Sequence, residues 1–338
     1  MNTDNNAGWG ILGTANIARG ALVPGIKGAK NSELLGVASR NEEKARKFAE
    51  EYEIPAYYSS YEELLADEEI EFVYIPLPNH LHHRWTIAAA EAGKHVLCEK
   101  PLGTSAKEVE EMFAVAEREG VTLMEAFMYR FHPQTLRVKE LLDSGLIGEP
   151  KFFRGAFSFP LITEDREEDI RWKAEMGGGS LMDLGTYSVN TVRYLFDEEP
   201  ERVFGRSSAH PDHTAEAETQ AILEFPSGKT ATIDSSFLLT DRANYEVASS
   251  KGKIQAFETY GPQRGKRLRI EINRENTAEI ETVEGVDEYA LEVEGIVESA
   301  RQGKVPRISR EDSLNNARVL DAVKEATDEA GWVEVGSA

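Results

Sequence analysis

Cysteine is almost absent: Cys98 is the only one in 338 residues. That excludes an intramolecular disulfide and any multi-cysteine zinc site, and it fits a reducing cytoplasm. Long hydrophobic runs are missing as well. Nowhere do ~18 apolar residues follow one another, and Met1 to Ala7 is polar, without the charged-then-apolar pattern of an export signal. The chain therefore reads as cytoplasmic, neither exported nor membrane-spanning. Positive charge is scarce, with 38 Lys and Arg against 60 Asp and Glu and a net charge of −22. Such a field repels nucleic acid and anionic membrane. It fits a salt-rich cytoplasm, and equally an ordinary acidic enzyme. No solenoid period or low-complexity tract breaks the sequence.

What is present is length and alternation. A chain of 338 residues exceeds the size at which one core keeps growing, so two domains are the default. From Trp9 to about Ala126, short apolar runs (Trp9 to Leu12, Leu34 to Ala38, Phe72 to Ile75, His95 to Cys98, Thr122 to Glu125) alternate with helical periodicity over Glu42 to Tyr52, Leu81 to Ala92 and Ala106 to Glu119. This predicts an α/β domain over 1–126, a doubly wound parallel Rossmann sheet with ligands at the carboxyl ends of its strands. Beyond it, Lys151 to Phe159, Ala217 to Phe225, Lys229 to Phe237 and Arg267 to Ile272 are strand-like, and Phe225-Pro226-Ser227-Gly228-Lys229 is a hairpin signal. With a closing helix over Arg310 to Glu329, residues 127–338 read as an α+β domain with a large, mostly antiparallel sheet. That closing helix can pack back toward the first domain. One sheet face stays free, a surface for a homodimer or homotetramer.

Two glycine patterns overlap near the start. Gly8-x-Gly10-x-x-Gly13 matches the dinucleotide fingerprint by letter, but it would need a strand before Gly8, where only polar residues stand. The alternative sets the strand at Trp9 to Leu12 and the turn at Gly13-Thr14-Ala15-Asn16-Ile17, so that a helix starting near Asn16 aims its N–H groups at a pyrophosphate. Ala15 in place of a second glycine leaves less room there. The second strand ends Ala38-Ser39-Arg40-Asn41, with no acid to hold a ribose 2′-hydroxyl. Ser39 can donate a hydrogen bond and Arg40 can stack on adenine while pairing with a 2′-phosphate, which favours NADP over a weaker NAD. The alternative for Arg40 is a solvated loop charge. His80, His82 and His83 suggest a metal cluster only at first sight, because consecutive helical side chains diverge, and no metal is expected.

Two distant segments carry the chemistry: Cys98-Glu99-Lys100-Pro101, at the end of a strand, and Gly177-Gly178-Gly179-Ser180-Leu181-Met182-Asp183-Leu184-Gly185-Thr186-Tyr187. Ser180 can cap a helix through Leu195, on which Asp183, Tyr187 and Asn190 fall at i, i+4 and i+7, one polar stripe beside an apolar face of Leu184, Val192 and Leu195. An amphipathic surface helix would show the same spacing. Together with the Gly13 turn, the segments resemble the glucose-fructose oxidoreductase and inositol dehydrogenase family, which joins an EKP motif to Asp-x-Gly-x-Tyr or Asp-x-Gly-x-His. The resemblance spans most of the chain.

The resemblance implies that Lys100 lies beside the nicotinamide ribose and the reacting hydroxyl, that Tyr187 exchanges a proton with the substrate, and that Asp183 orients substrate or Lys100; either Tyr187 or Lys100 can be the terminal base, and the reading taken gives Tyr187 the proton transfer and Lys100 the lowering of its pKa by nearby positive charge. Leu77, Asn79 and His82, in the turn after Ile75, would cover the adenosine-phosphate side, with Glu99 also in the cofactor site. Arg171 and Trp172 would pack on the nicotinamide side, although Trp172 could equally be core. Glu125 to Pro133 resembles the branch containing dimeric dihydrodiol dehydrogenase and the NADP-dependent D-xylose 1-dehydrogenases, so Phe127, Arg130, His132 and Asn190 join the substrate set; Arg130 and His132 could instead brace the domains. The expected activity is oxidation of an aldose, D-xylose first, at its anomeric carbon to the lactone. A dihydrodiol or other polyol dehydrogenase or reductase is the rival in the same class, and a non-catalytic NADP-binding regulator the rival outside it.

Overall fold

The computed structural model describes residues 6–163, 166–261, 264–275 and 277–336. By its internal contacts the chain divides into two compact units.

The first unit holds residues 1–103, 107–131 and 287–313. Six parallel strands, β1 Ala7–Leu12, β2 Ser32–Ala38, β3 Ala56–Tyr58, β4 Phe72–Ile75, β5 His95–Glu99 and β6 Leu123–Ala126, take the order β3-β2-β1-β4-β5-β6. That is the doubly wound order, with its switch point between β1 and β4. β1, β4 and β6 are buried along their whole length; β1 and β4 for that reason read as unbroken apolar runs, whereas β6 carries the buried Glu125. The helices between them are α1 Val23–Gly28, α2 Glu42–Tyr52, α3 Tyr61–Leu65, α4 His82–Glu91 and α5 Ala106–Glu119. Both Gly8 and Gly10 sit inside β1: a Cβ would lie 2.1 Å from the Glu69 carbonyl at the first and 2.6 Å from Leu64 at the second. These two glycines serve packing, and Gly13 is the turn.

The second unit holds residues 104–106, 132–286 and 314–338, with helices α6 Pro133–Asp143, α7 Thr186–Phe196 and most of α9 Arg310–Glu329. The segment that rejoins the first unit is 287–313, which carries α8 Glu288–Gln302, a helix that periodicity did not pick out. Nine strands, β7 Pro150–Ser158, β8 Arg202–Ala209, β9 Glu216–Glu224, β10 Thr230–Ser236, β11 Arg242–Ser249, β12 Gly252–Phe257, β13 Arg267–Arg274, β14 Thr277–Glu284 and β15 Trp332–Glu334, form one sheet in the order β14-β13-β12-β11-β7-β10-β9-β8-β15. Among the described residues of this sheet, only β7 and β10 pair in parallel. β9 and β10 form the expected hairpin, closed by Phe225 N–H to Lys229 O with Gly228 at φ +82°.

Along one row of cross-strand neighbours the residues run Ile280, Glu271, Gln255, Glu246, Arg154, Thr232, Ile222, Phe204, Trp332. This face is polar in its middle and apolar at both ends, where Ile280, Ile222 and Trp332 are exposed.

Candidate active site

In the first unit, β1 runs into Gly13 at φ +115°, a backbone state that an L side chain rarely adopts. A Cβ there would also meet Leu77 at 3.1 Å. Thr14 and Ala15 are half-buried, whereas Asn16 and Ile17, which open the following helix, are exposed. That helix begins with a π-helical turn, Ala18–Leu22, before α1. Helix N-termini leave their first N–H groups without partners in the helix, so a narrow turn followed by an exposed helix start suits a phosphate.

At the end of β2 Ser39 is buried and its hydroxyl accepts the Asn41 N–H, which leaves the O–H as a donor. Asn41 in turn caps α2. Arg40 is exposed and stands near the Tyr61 phenol; burial pushes that phenol up and the Arg40 charge draws it back. The phenol oxygen lies 3.9 Å from the position of a Gly13 Cβ. Gly13, Leu77, Tyr61 and Arg40 thus converge, and Tyr61 is a member that no sequence motif had marked.

The segment carrying half-buried Lys100 is pinned through its backbone. His82 is fully buried, with Nδ1 2.9 Å from the Pro101 carbonyl and Nε2 2.7 Å from the Leu77 carbonyl. It is therefore a brace between the β4 and β5 turns, not the direct cofactor contact expected of it. Burial pushes His82 down to about 4, the two carbonyls acting against that. Leu102 N–H donates to the buried Glu125 carboxylate at 2.9 Å. Glu99, half-buried, accepts the Tyr74 hydroxyl at 2.5 Å. The Asn79 side of the turn is half-buried. Arg130 is buried in an ion pair with Asp312 at 2.8 Å, and its carbonyl accepts from Arg307. All three residues belong to the first unit, so this pair is a brace within it. Phe127 is fully buried.

In the second unit, Gly177, Gly178 and Gly179 fold back so that Gly178 N–H donates to Lys173 O and Gly179 N–H to Arg171 O. The helix after them differs from the regular one expected: Leu181–Gly185 is π-helical and the α-helical part is α7. The wider turn moves Asp183 off the simple i, i+4 stripe with Tyr187, and such turns are frequent at functional sites. Ser180 does not cap this helix; its hydroxyl meets Ser235 Oγ at 3.0 Å. Asp183 Oδ2 accepts from Arg171 Nε at 2.6 Å, and Arg171 also contacts Asp169 at 3.2 Å. Asp183 first, then Asp169, raises the guanidinium above its ordinary value. Arg171 is thus a partner of Asp183.

Trp172 is core, packed with Leu161, Leu184, Ala217 and Phe237 and stacked on His213 at 4.2 Å. His132 is buried and accepts the Gln134 N–H, capping α6, and burial pushes it down to about 4. Asn190 is fully buried on α7. Tyr187 is 6% exposed, edge-on to Phe157 at 5.4 Å and beside Tyr260 at 5.2 Å. Phe157 and Phe159, with Pro160, Thr163, Arg166 and Asp241, line an open cleft of about 530 Å³. Phe157 therefore touches both Tyr187 and the cleft. Neither phenylalanine carried a sequence signal beyond strand alternation.

Among the described residues, no group of three or more His, Cys, Asp or Glu is placed to hold a metal ion, and no helix is long and apolar enough to cross a membrane. His83 instead pairs with Glu111 at 2.9 Å.

Residues 7–127 match the oxidoreductase family with an NAD-binding Rossmann fold, and residues 135–255 match the GFO/IDH/MocA C-terminal domain. The chain belongs to the GFO/IDH/MocA family. It is 40% identical over 327 residues to a D-xylose 1-dehydrogenase (NADP(+)) of Haloferax volcanii, covering 97% of this chain and 99% of the relative. It is 37% identical over 250 residues to a trans-1,2-dihydrobenzene-1,2-diol dehydrogenase of Xenopus laevis, covering 73% and 74%. Among solved structures, a 3-ketoreductase from Actinomadura kijaniata in complex with NADP and TDP-benzene superposes with a TM-score of 0.90 at 32% identity, covering 95% of this chain and 98% of that one. The chain is an oxidoreductase of this family, with the fold expected from its sequence.

Proposed function

We propose that the protein oxidises an aldose at its anomeric carbon to the lactone with NADP, D-xylose being the first candidate. The observation that carries the reading is the clamped helix start in the second unit: Asp183 is fixed by Arg171, and Tyr187 is packed edge-on against Phe157, an aromatic wall of an open cleft. A sugar ring has apolar C–H faces that pack on Phe157 and Phe159, while Asp241, Thr163 and Arg166 offer polar partners at the same cleft. The likeness to a D-xylose dehydrogenase supports the substrate class.

The residues present fit a dinucleotide with a 2′-phosphate. Gly13 admits the backbone approach that a Cβ would obstruct, and Arg40 stands exposed at the end of β2 beside Tyr61. Thr14 to Ile17 would meet the pyrophosphate, and Leu77 and Asn79 would cover the adenosine side. The nicotinamide, when bound, supplies the hydride acceptor. In this reading Tyr187 exchanges the proton of the C1 hydroxyl, Lys100 supports that exchange by its positive charge, and Asp183, held by Arg171, orients the substrate. The free sheet face, polar in its centre and apolar at its ends, is the surface proposed for a homodimer or homotetramer.

A screen of pentoses, hexoses and diols, following NADPH absorbance, tests the substrate. Turnover of D-xylose above that of hexoses and diols is the expected result. Preference for a diol, or turnover only in the reductive direction on a keto-sugar, overturns it.

A further inference from the structure

Glu216, at the start of β9, lies against the first turn of the helix that carries Asp183 and Tyr187. Its Oε1 accepts the Leu181 N–H at 2.7 Å. Its Oε2 occupies the space in front of Gly179, where a Cβ would come within 1.8 Å, and Gly179 is at φ +113°. Gly179 is therefore glycine for two reasons, and the second is this carboxyl group. Asp183 N–H donates to the Gly179 carbonyl at 3.0 Å, so Gly179, Leu181 and Asp183 are tied in sequence to one side chain.

Ser180, the residue in the capping position, sends its hydroxyl to Ser235 and leaves the helix start to this distant acid. We propose that Glu216 is a positioning residue for the reaction, setting the first turn of the helix and with it the placement of Asp183 and Tyr187.

The groups facing Glu216 are the Leu181 N–H, its own main-chain N–H, the Thr219 hydroxyl and, from α9, the Lys324 ammonium. Burial outweighs all of them and pushes the carboxyl up to about 7. An anion is the stronger acceptor at a helix N-terminus, so the cap tightens as the acid ionises. Loss of the proton and tightening of the turn therefore fall in the same pH range.

The kinetic part of the test rests on the role proposed for Asp183 and Tyr187, and the exchange part does not. Two variants are compared with wild type in the presence of NADP: Glu216→Gln, which keeps an acceptor of the same shape without charge, and Glu216→Ala, which removes the acceptor. Amide hydrogen exchange over residues 179–187, corrected for intrinsic rates, is read at pH 6 and pH 8 together with kcat. In Glu216→Ala, exchange quickens and kcat falls about tenfold, the size of a lost cap, while NADP binding is unchanged. In Glu216→Gln, kcat stays near wild type and the wild-type change of exchange between pH 6 and 8 disappears.

Should Glu216→Ala fail to fold, the exchange of Glu216→Gln decides alone. Unchanged exchange in Glu216→Ala, a Glu216→Gln as damaged as Glu216→Ala, or a wild type whose exchange is flat across pH 7 overturns the assignment. Altered exchange with unaltered kcat overturns the positioning role and, with it, the role proposed for Asp183 and Tyr187. If no aldose is turned over by wild type, the exchange arms still decide the structural claim.

Discussion

The segment that carries Lys100 and the helix that carries Asp183 and Tyr187 are held in opposite ways. Around Lys100 the anchors grip main-chain atoms: His82 meets the Pro101 carbonyl and Glu125 takes the Leu102 N–H. Around Asp183 the anchor grips the functional side chain itself, through Arg171 and onward to Asp169. A segment pinned through its main chain keeps its path when a side chain on it is replaced. A side chain that is itself part of an ion network cannot be replaced that way, because its removal leaves a charge without its partner. Chemistry and architecture should therefore separate in the first unit and stay coupled in the second.

The largest expected effects test that separation directly. Lys100→Met and Tyr187→Phe should each lower kcat by roughly 10² or more, the usual worth of positioned proton transfer, with NADP affinity retained. Lys100→Met should do so with little change in Tm. Asp183→Asn should lower both kcat and Tm, because Arg171 is left facing Asp169 alone. Wild-type turnover in Lys100→Met or Tyr187→Phe removes that residue from the mechanism. Equal Tm values for Lys100→Met and Asp183→Asn would erase the contrast between the two units.

The next effect concerns the first unit alone. No acid at the end of β2 repels a 2′-phosphate, and a charge-assisted bond from Arg40 is worth roughly 1.5 to 3 kcal/mol, or about ten- to a hundredfold in preference for NADP. Arg40→Asp should reverse the preference toward NAD and leave sugar KM nearly unchanged. Equal kcat/KM for the two cofactors in wild type would show that Arg40 spends its charge on Tyr61 rather than on the cofactor.

The same contrast explains what was legible in the sequence. Local signals dominate the first unit: buried parallel strands are continuous apolar runs, and β4 and α2 have the limits the pattern predicted. β3 and α3 were missed because three and five residues are too short to show a period. In the second unit Lys151 to Phe159 and the β9–β10 hairpin were readable, but β8, β11, β12 and β14 each set two large apolar residues among small, polar and charged ones, a pattern that periodicity alone does not raise above a loop. Lys100, Asp183 and Tyr187 stood out through motifs. Their supports did not, because His82 to Pro101, Leu102 to Glu125 and Leu181 to Glu216 are contacts 19, 23 and 35 residues apart. Trp172, Arg130 and His132 show the converse, residues attractive as ligands that also serve the core, an ion pair and a helix cap, uses that no local pattern in the sequence separates from binding.

The two braces should also answer acid with opposite signs. His82 is lowered from 6.5 to about 4, so its contribution is complete above pH 6.5 and is lost as pH falls toward 4. Glu216 is raised from 4.5 to about 7, so the folded state gains as pH falls from 7 to 4.5 and loses that gain as pH rises through 7. Displacements of this size set a ceiling of about 3 kcal/mol for each group, at 1.36 kcal/mol per pH unit. Relative to wild type, Glu216→Gln should therefore gain Tm at pH 8 and lose that advantage at pH 5. His82→Phe should instead lose Tm at pH 7.5 and draw level at pH 5. Parallel pH profiles of Tm for wild type and both variants would show that neither group titrates in this window.

Salt should produce the smallest effect, and it acts on the charge-held parts more than on the backbone-held ones. A net charge of −22 repels itself, and raising KCl from ~0.1 to ~2 M shortens the screening length from ~10 Å to below ~3 Å, which relieves that repulsion. The same salt weakens exposed ion pairs such as Arg46 with Glu43 and Glu50 on α2, or Arg267 with Glu284 between β13 and β14. Exposed pairs contribute little each, about 0 to 1 kcal/mol. Relief of the unbalanced repulsion therefore outweighs the weakened pairs, and Tm should rise by a few degrees across that range. Activity should follow the same direction. A flat or falling Tm would mean that the acidic surface is not tuned to a salt-rich cytoplasm, and it would leave the ion pairs between strands of the second sheet as the salt-sensitive element.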